Sequence, residues 1–280
     1  MAKSLDSDFW SVFGTSRSAV KAEELKKLEI QVCNFKDVNK FSNGKILSDA
    51  THVLISAPPI ENGDPVLRLY TKTLCSLKNL EWVGYLSSTS VYGHTGDKEA
   101  SENFKTNPTT THGRRRAKAE KDWLHLWSEC GLPVHVFRLA AIYGPGRSVI
   151  DRLKNGSAQN IIKPGHYFSR IHIDDIVSSL KASMLAPNAG QIYNVCDDEP
   201  AMNSDVVCFA ANLIGVKPPP EILFEDAQMS QAYLSFYSER RSIRNSKLKN
   251  DLKVKLRFPN YRLGLSSIFK SAEKLNCQGN

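Results

Sequence analysis

The chain has 280 residues, 41% hydrophobic and 24% charged, enough to bury a sizeable core as one large domain or two. No run approaches the ~18 apolar residues of a membrane span, and Met1–Trp10 has neither a signal-peptide core nor an Arg-rich transit pattern. A net charge of +8 gathers at Arg114-Arg115-Arg116 with Lys118 and Lys121, and between Arg240 and Arg257; without a nucleic-acid motif or interleaved aromatics, solvated surface and affinity for phosphate-bearing small molecules outrank nucleic acid as its meaning.

Six cysteines, at 33, 75, 130, 196, 208 and 277, stand singly. With no CxxC and no HExxH they predict no metal site, and they predict reduced thiols in an intracellular, by default cytoplasmic, soluble protein. A longer form could still carry an organelle-targeting segment.

Ser11-Val12-Phe13 reads as a short strand ending in Gly14-Thr15-Ser16-Arg17-Ser18. A helix over Ala19–Leu28, a strand over Ile30–Phe35 and an Asn43-Gly44 turn follow. His52–Ala57 is too apolar at Val53-Leu54-Ile55 for an exposed strand, and Pro58-Pro59 ends it. Asp64-Pro65 is a strong helix start, an N-cap with proline behind it, and Leu67, Tyr70, Leu74 and Leu77 continue at helical spacing.

Trp82–Leu86 is a buried strand running into Ser87-Ser88-Thr89-Ser90 and closing on Val91-Tyr92-Gly93. In open α/β sheets ligands sit outside the carboxyl ends of strands, so these hydroxyls look like the mouth of a site; a plain hydroxyl-rich turn is the alternative. Ala117–Cys130 is a helix with Ala119, Trp123, Leu126 and Trp127 in one stripe and Gly131 as its stop. Val134–Leu139 is a second buried strand, leading to Ala140-Ala141-Ile142-Tyr143-Gly144-Pro145-Gly146. Strands alternating with helices imply a parallel, doubly wound sheet. Beyond Gly146 the pattern loosens to a strand at Ile171-His172-Ile173, a helix over Asp174–Met184, a strand over Gln191–Val195, a helix over Asn203–Gly215 and a basic, mixed remainder.

In this order the segments resemble the extended short-chain dehydrogenase/reductases, the NAD(P)-dependent epimerase/dehydratase group, and most closely its atypical members. The resemblance rests on Gly14–Ser18, Ile55–Pro59, Ser87–Gly93, Arg138–Gly146, Arg170–Asp175 and Ile192–Val195, and spans roughly 11–265. It implies an α/β, Rossmann-type doubly wound sheet in 1–147 and a smaller substrate lobe in 148–280, with 171–196 returning to the sheet. The implied activity is an NAD(P)-dependent oxidoreductase or epimerase acting on a sugar-nucleotide-like or other small polar substrate. The alternative is a non-catalytic dinucleotide-fold binding protein. The family also allows a homodimer.

Residue by residue, the resemblance implies cofactor contacts from Thr15, Ser16, Arg17 and Ser18, from Ser56, Ala57 and Pro58, and from Ala140. Arg17 favours NADP, with NAD the alternative, because its planar fork suits a 2′-phosphate. Ser88 falls at the position whose hydroxyl holds the substrate's reacting oxygen. Asp174 is a structural residue and a helix N-cap.

Two departures stand out. The family's acid/base pair is Tyr and Lys four apart on a helix, whereas here His112 and Arg116 occupy those places. Arg116 can bind ribose hydroxyls and supply positive charge but cannot lose its proton, so an active site would use His112 as its acid/base group. No GxxGxxG or GxGxxG precedes Phe13, so the first glycine-rich βα unit is missing. A truncated or alternatively started form explains this, as does a variant that manages without the loop. The expected consequences are weak dinucleotide binding and an unpaired slot between the strands at Ser11–Phe13 and His52–Ala57.

Overall fold

The computed structural model describes residues 1–28, 30–35, 37 and 45–278; the Asn43-Gly44 turn lies outside them. In chain order the first elements are β1 (Phe13–Ser16), α1 (Ala19–Lys26), β2 (Gln31–Asn34), α2 (Lys45–Ser48), β3 (His52–Ile55) and α3 (Pro65–Ser76). Next come β4 (Trp82–Ser88), β5 (Glu99–Ala100), α4 (Thr111–Cys130), β6 (Val134–Leu139), β7 (Ala141–Tyr143) and α5 (Val149–Lys154). β8 (Asn160–Ile162), β9 (Arg170–His172), α6 (Ile173–Leu185), β10 (Ile192–Val195) and α7 (Asn203–Leu213) follow. The chain closes with β11 (Glu221–Leu223), α8 (Gln231–Tyr237), β12 (Ser242–Ile243), α9 (Ser246–Asp251) and α10 (Tyr261–Gln278).

The main sheet has the order β10–β6–β4–β3 and every pair is parallel. All six residues of β6 are buried, as expected of a strand covered on both faces. On one face Val83 and Tyr85 of β4 pack with Val66, Tyr70 and Leu74 of α3 and Trp123 of α4. On the other, Trp82 meets Phe137, Tyr193 and, from α6, Ile176 and Leu180. The Trp82 indole lies across Gly84, where an added Cβ would come within 2.0 Å of the ring, so this strand needs a glycine beside its tryptophan. Each such large buried side chain contributes roughly 1.5–3 kcal/mol.

The helices start and stop for local reasons. Asp64 caps α3, accepting from Val66 N at 2.8 Å and Leu67 N at 3.1 Å. The Thr110 hydroxyl accepts from Gly113 N at 3.1 Å, so α4 begins at Thr111, six residues before the expected Ala117. Gly131 ends it in the left-handed region at φ 69°. Trp127, expected on the buried stripe, is 42% exposed.

β1 and β2 form a separate two-stranded parallel sheet. The first strand is Phe13–Ser16 rather than Ser11–Phe13, because Gly14, Thr15 and Ser16 pair with Val32, Cys33 and Asn34. β3 pairs with β4 alone, and its other edge has no strand partner among the described residues. β7 and β9 make their own short ladder, and β5 pairs with β12, bringing the C-terminal region beside the loop after β4. The C-terminal core gathers Tyr143, Val207, Tyr261 and Leu265.

One expectation is overturned. Cys75 and Cys130 are joined in a disulfide, with Cα atoms 6.0 Å apart, while Cys33, Cys196 and Cys208 are free. The two parallel crossover helices bring together C-terminal ends that are 55 residues apart in sequence. No described helix is long and apolar enough to cross a membrane.

Candidate active-site cleft

At the carboxyl end of β4 the chain passes from strand to a single 3₁₀ turn at Ser88, whose hydroxyl accepts from Ser90 N at 3.2 Å. A buried polar network fixes this turn from below. Ser87 Oγ donates to Glu120 Oε1 at 2.5 Å, and Glu120 takes the Arg138 guanidinium through Nε at 3.1 Å and NH2 at 2.7 Å. Arg138 also donates to Tyr92 Oη at 2.9 Å, and Tyr92 donates to Asn194 Oδ1 at 2.6 Å. One chain of bonds therefore connects β4, α4, β6 and β10. Such buried networks rigidify when fully satisfied.

α4 crosses close above the turn because position 113 is glycine. A Cβ there would lie 2.7 Å from both Ser90 O and Pro108 Cβ. The helical spacing then puts His112 and Arg116 on one side, and both line a cleft of about 210 Å³ with Ser88, Ser90, Pro58 and Pro59. The His112 side chain is exposed. Arg116 is half-buried, donating to Leu86 O at 2.6 Å and Tyr85 Oη at 3.3 Å, so part of its guanidinium serves the end of β4 rather than a ligand.

Ser88 also lines a second, deeper pocket of about 60 Å³ with Ala140, Tyr167, Phe236, Glu239 and Arg241. Ala140 is held there by its amide, which donates to Val195 O at 3.0 Å. Ser88 is thus the junction of the two spaces.

Ser88, His112, Arg116 and Pro58 therefore meet in one cleft, and Ala140 reaches it through the deeper pocket. Ser56 and Ala57 follow β3 without lining either space. Thr15, Ser16, Arg17 and Ser18 sit at the end of β1, on the separate small sheet. There Ser16 Oγ donates to Ser18 O at 2.9 Å, Ser18 caps α1, and Arg17 is exposed. Asp174 is not the N-cap of α6: His172 is, its Nδ1 accepting from Asp174 N at 3.2 Å. The loop-fixing role belongs to buried Asp175, which accepts from Arg257 N at 2.7 Å and Phe258 N at 3.0 Å.

Tyr167, Glu239 and Arg241 were not legible as site residues. They come from stretches without periodicity and reach the pocket only through tertiary pairing. Glu239 Oε1 accepts from Thr109 N at 2.8 Å and Thr109 Oγ1 at 2.6 Å, and its Oε2 accepts from Arg241 at 2.7 Å.

Comparison with known proteins gives this arrangement a lineage. Residues 4–196 match the model of the NAD dependent epimerase/dehydratase family. The chain belongs to that family. It is similar to a conserved protein of unknown function from Silicibacter pomeroyi. The two share 40% identity at a TM-score of 0.87, covering 95% of this chain and 92% of the other. It is 27% identical over 235 residues to the Escherichia coli K12 protein YeeZ, covering 78% of this chain and 81% of that protein. In fold it is similar to dTDP-glucose 4,6-dehydratase from Bacillus anthracis, solved in complex with NAD. That likeness has a TM-score of 0.74 at 16% identity, over 96% of this chain and 89% of the other.

The family's name implies a dinucleotide, and the residues fit it in part. Hydroxyls, an imidazole and small residues stand together at the strand ends, chemistry that suits a reactive ring and a polar substrate. No glycine-rich strand–turn–helix among the described residues offers backbone amides to a pyrophosphate.

Proposed function

We propose that the chain is an NAD(P)-linked oxidoreductase or epimerase-type enzyme acting on a small polar substrate held in the Ser88 cleft. The observation that carries this is the joint opening of the Ser88 hydroxyl and the His112 imidazole onto one space at the carboxyl ends of parallel strands. In this reading Ser88 holds the substrate's reacting oxygen and His112 exchanges its proton as general acid or base. Arg116 supplies positive charge while tying α4 to β4. Exposed Arg17 would favour NADP over NAD by pairing with a 2′-phosphate. The nicotinamide cofactor would supply the hydride chemistry. Membership of the epimerase/dehydratase family and the likeness to an NAD-bound dehydratase support this reading.

A second reading, a binding protein without turnover, draws support from Arg116, whose guanidinium is engaged by Leu86 O, and from the missing pyrophosphate cradle among the described residues. The deciding experiment is a fluorescence titration with NADPH and NADH alongside a turnover assay on small hydroxyl and carbonyl compounds. Turnover that depends on His112 supports the enzyme. Binding with no turnover on any compound supports the second reading.

A further inference from the structure

The deeper pocket carries one ion pair in its wall. Arg241 is the only basic side chain lining it among the described residues, and the only acidic one is Glu239. The two are already paired at 2.7 Å, with side-chain exposures of 14% for Arg241 and 0% for Glu239. Glu239 has no accessible alternative partner, since its other oxygen accepts both the amide and the hydroxyl of Thr109. A ligand anion that recruited Arg241 would compete with this pair inside the wall. Breaking a buried pair strands the remaining charge without a partner, which is strongly unfavourable.

Neighbouring cations do not replace Arg241. Arg240 is paired with Asp97 at 2.8 Å, and its guanidinium lies 5.7 Å from the Tyr167 ring. Lys163 donates to Tyr237 O at 2.8 Å and sits 3.7 Å from the Phe224 ring centroid. Neither lines the pocket. What faces the space is hydroxyl and aromatic: Ser88, Thr89, Ser169 and Tyr167 beside Phe168 and Phe236. Hydroxyls both donate and accept, which matches alcohols and carbonyls. The pocket's 60 Å³ takes a group of a few heavy atoms.

We propose that Glu239 is a specificity-determining residue: by neutralising Arg241 within the wall, it makes the pocket select a small, uncharged, hydroxyl- or carbonyl-bearing substrate end and reject a phosphorylated one. This rests on the reading of the Ser88 cleft as the substrate site, and it narrows that reading toward neutral polyol-like compounds and away from sugar nucleotides.

Glu239→Gln is the informative variant, because it keeps an oxygen for Thr109 and removes the charge that holds Arg241. Inorganic phosphate is titrated calorimetrically into the cofactor-free protein, with circular dichroism melts as the folding control. Wild type is expected to bind weakly. Glu239→Gln is expected to bind at least about tenfold more tightly, through a newly available charge-assisted contact. Adding Arg241→Gln is expected to remove that gain. Folded Glu239→Gln with no gain, or a gain that survives Arg241→Gln, overturns the proposal. If Glu239→Gln does not fold, Arg241→Gln alone decides: unchanged weak binding supports the proposal, and a clear loss of wild-type affinity overturns it. These are binding measurements without turnover, so they stand or fall separately from the His112 assay.

Discussion

Arg116 donates a hydrogen bond to the main-chain oxygen of Leu86 at 2.6 Å, tying the start of α4 to the end of β4. The bond sits one residue before Ser87 and two before Ser88, so it bears on the site's geometry as well as on stability. Hydrogen bonds to charged groups contribute about 1.5–3 kcal/mol. Arg116→Ala should therefore lower the unfolding free energy in a urea titration by about that amount. Arg116→Lys, which keeps charge but loses the planar fork, should recover part of it. An Arg116→Ala protein as stable as wild type would show that the bond does not hold the two elements together.

The Glu120–Arg138 pair is the strongest tie under the Ser88 turn, with both side chains 4% exposed. Removing one partner leaves the other charge buried and alone. Glu120→Ala should cost about 3–5 kcal/mol by chemical denaturation, more than Arg116→Ala. A loss under 1 kcal/mol, roughly what an exposed pair contributes, would mean that the network does not carry the turn.

Two buried histidines make the fold sensitive to acid, against the opposite contribution of Asp197, whose carboxyl burial pushes up to about 8. Burial holds His135 down to about 4, and burial followed by the charge of Lys163 holds His166 down to about 4. Both folded values lie below the unfolded 6.5, so the unfolded chain takes up protons first as pH falls. The stabilisation is present above about 6.5 and is lost as pH falls toward about 4. For fully buried His135 the loss is at most about 3 kcal/mol. Between pH 7.5 and 4 the His135→Gln protein should lose less stability than wild type, read as the difference in their denaturation midpoints. An equal loss in that variant would assign the acid sensitivity elsewhere.

The Cys75–Cys130 bridge closes a separation of 55 residues, a loop for which chain entropy gives about 4 kcal/mol as a ceiling. Reduction, or Cys75→Ser, should lower stability by about 2–4 kcal/mol. Thiol titration of the denatured chain should find two fewer thiols before reduction than after it. Equal counts would remove the bridge from the account.

What the sequence made legible follows from range. β4 and β6 are apolar runs, and α3 announces itself through Asp64-Pro65, so the parallel α/β core could be read locally. The first turns of α4 were hidden because Gly113 and three consecutive arginines carry no apolar stripe; what starts the helix there is the Thr110 cap. The two-residue strands β5 and β12 have no pattern of their own and exist only by pairing with each other. The Glu239 contacts span 130 residues to Thr109, and nothing near Glu239 in sequence points to them. Ser88 was found because strand-end hydroxyls are a local signal. Its pocket partners Tyr167 and Arg241 were not, because only the tertiary fold brings them there.

The most direct test of the central claim is nicotinamide oxidation or reduction, followed by absorbance, with wild type and His112→Ala on small neutral hydroxyl and carbonyl compounds. Turnover should fall by about 10²–10⁴-fold in His112→Ala while cofactor affinity stays within about twofold of wild type. Turnover in His112→Ala equal to wild type would contradict it.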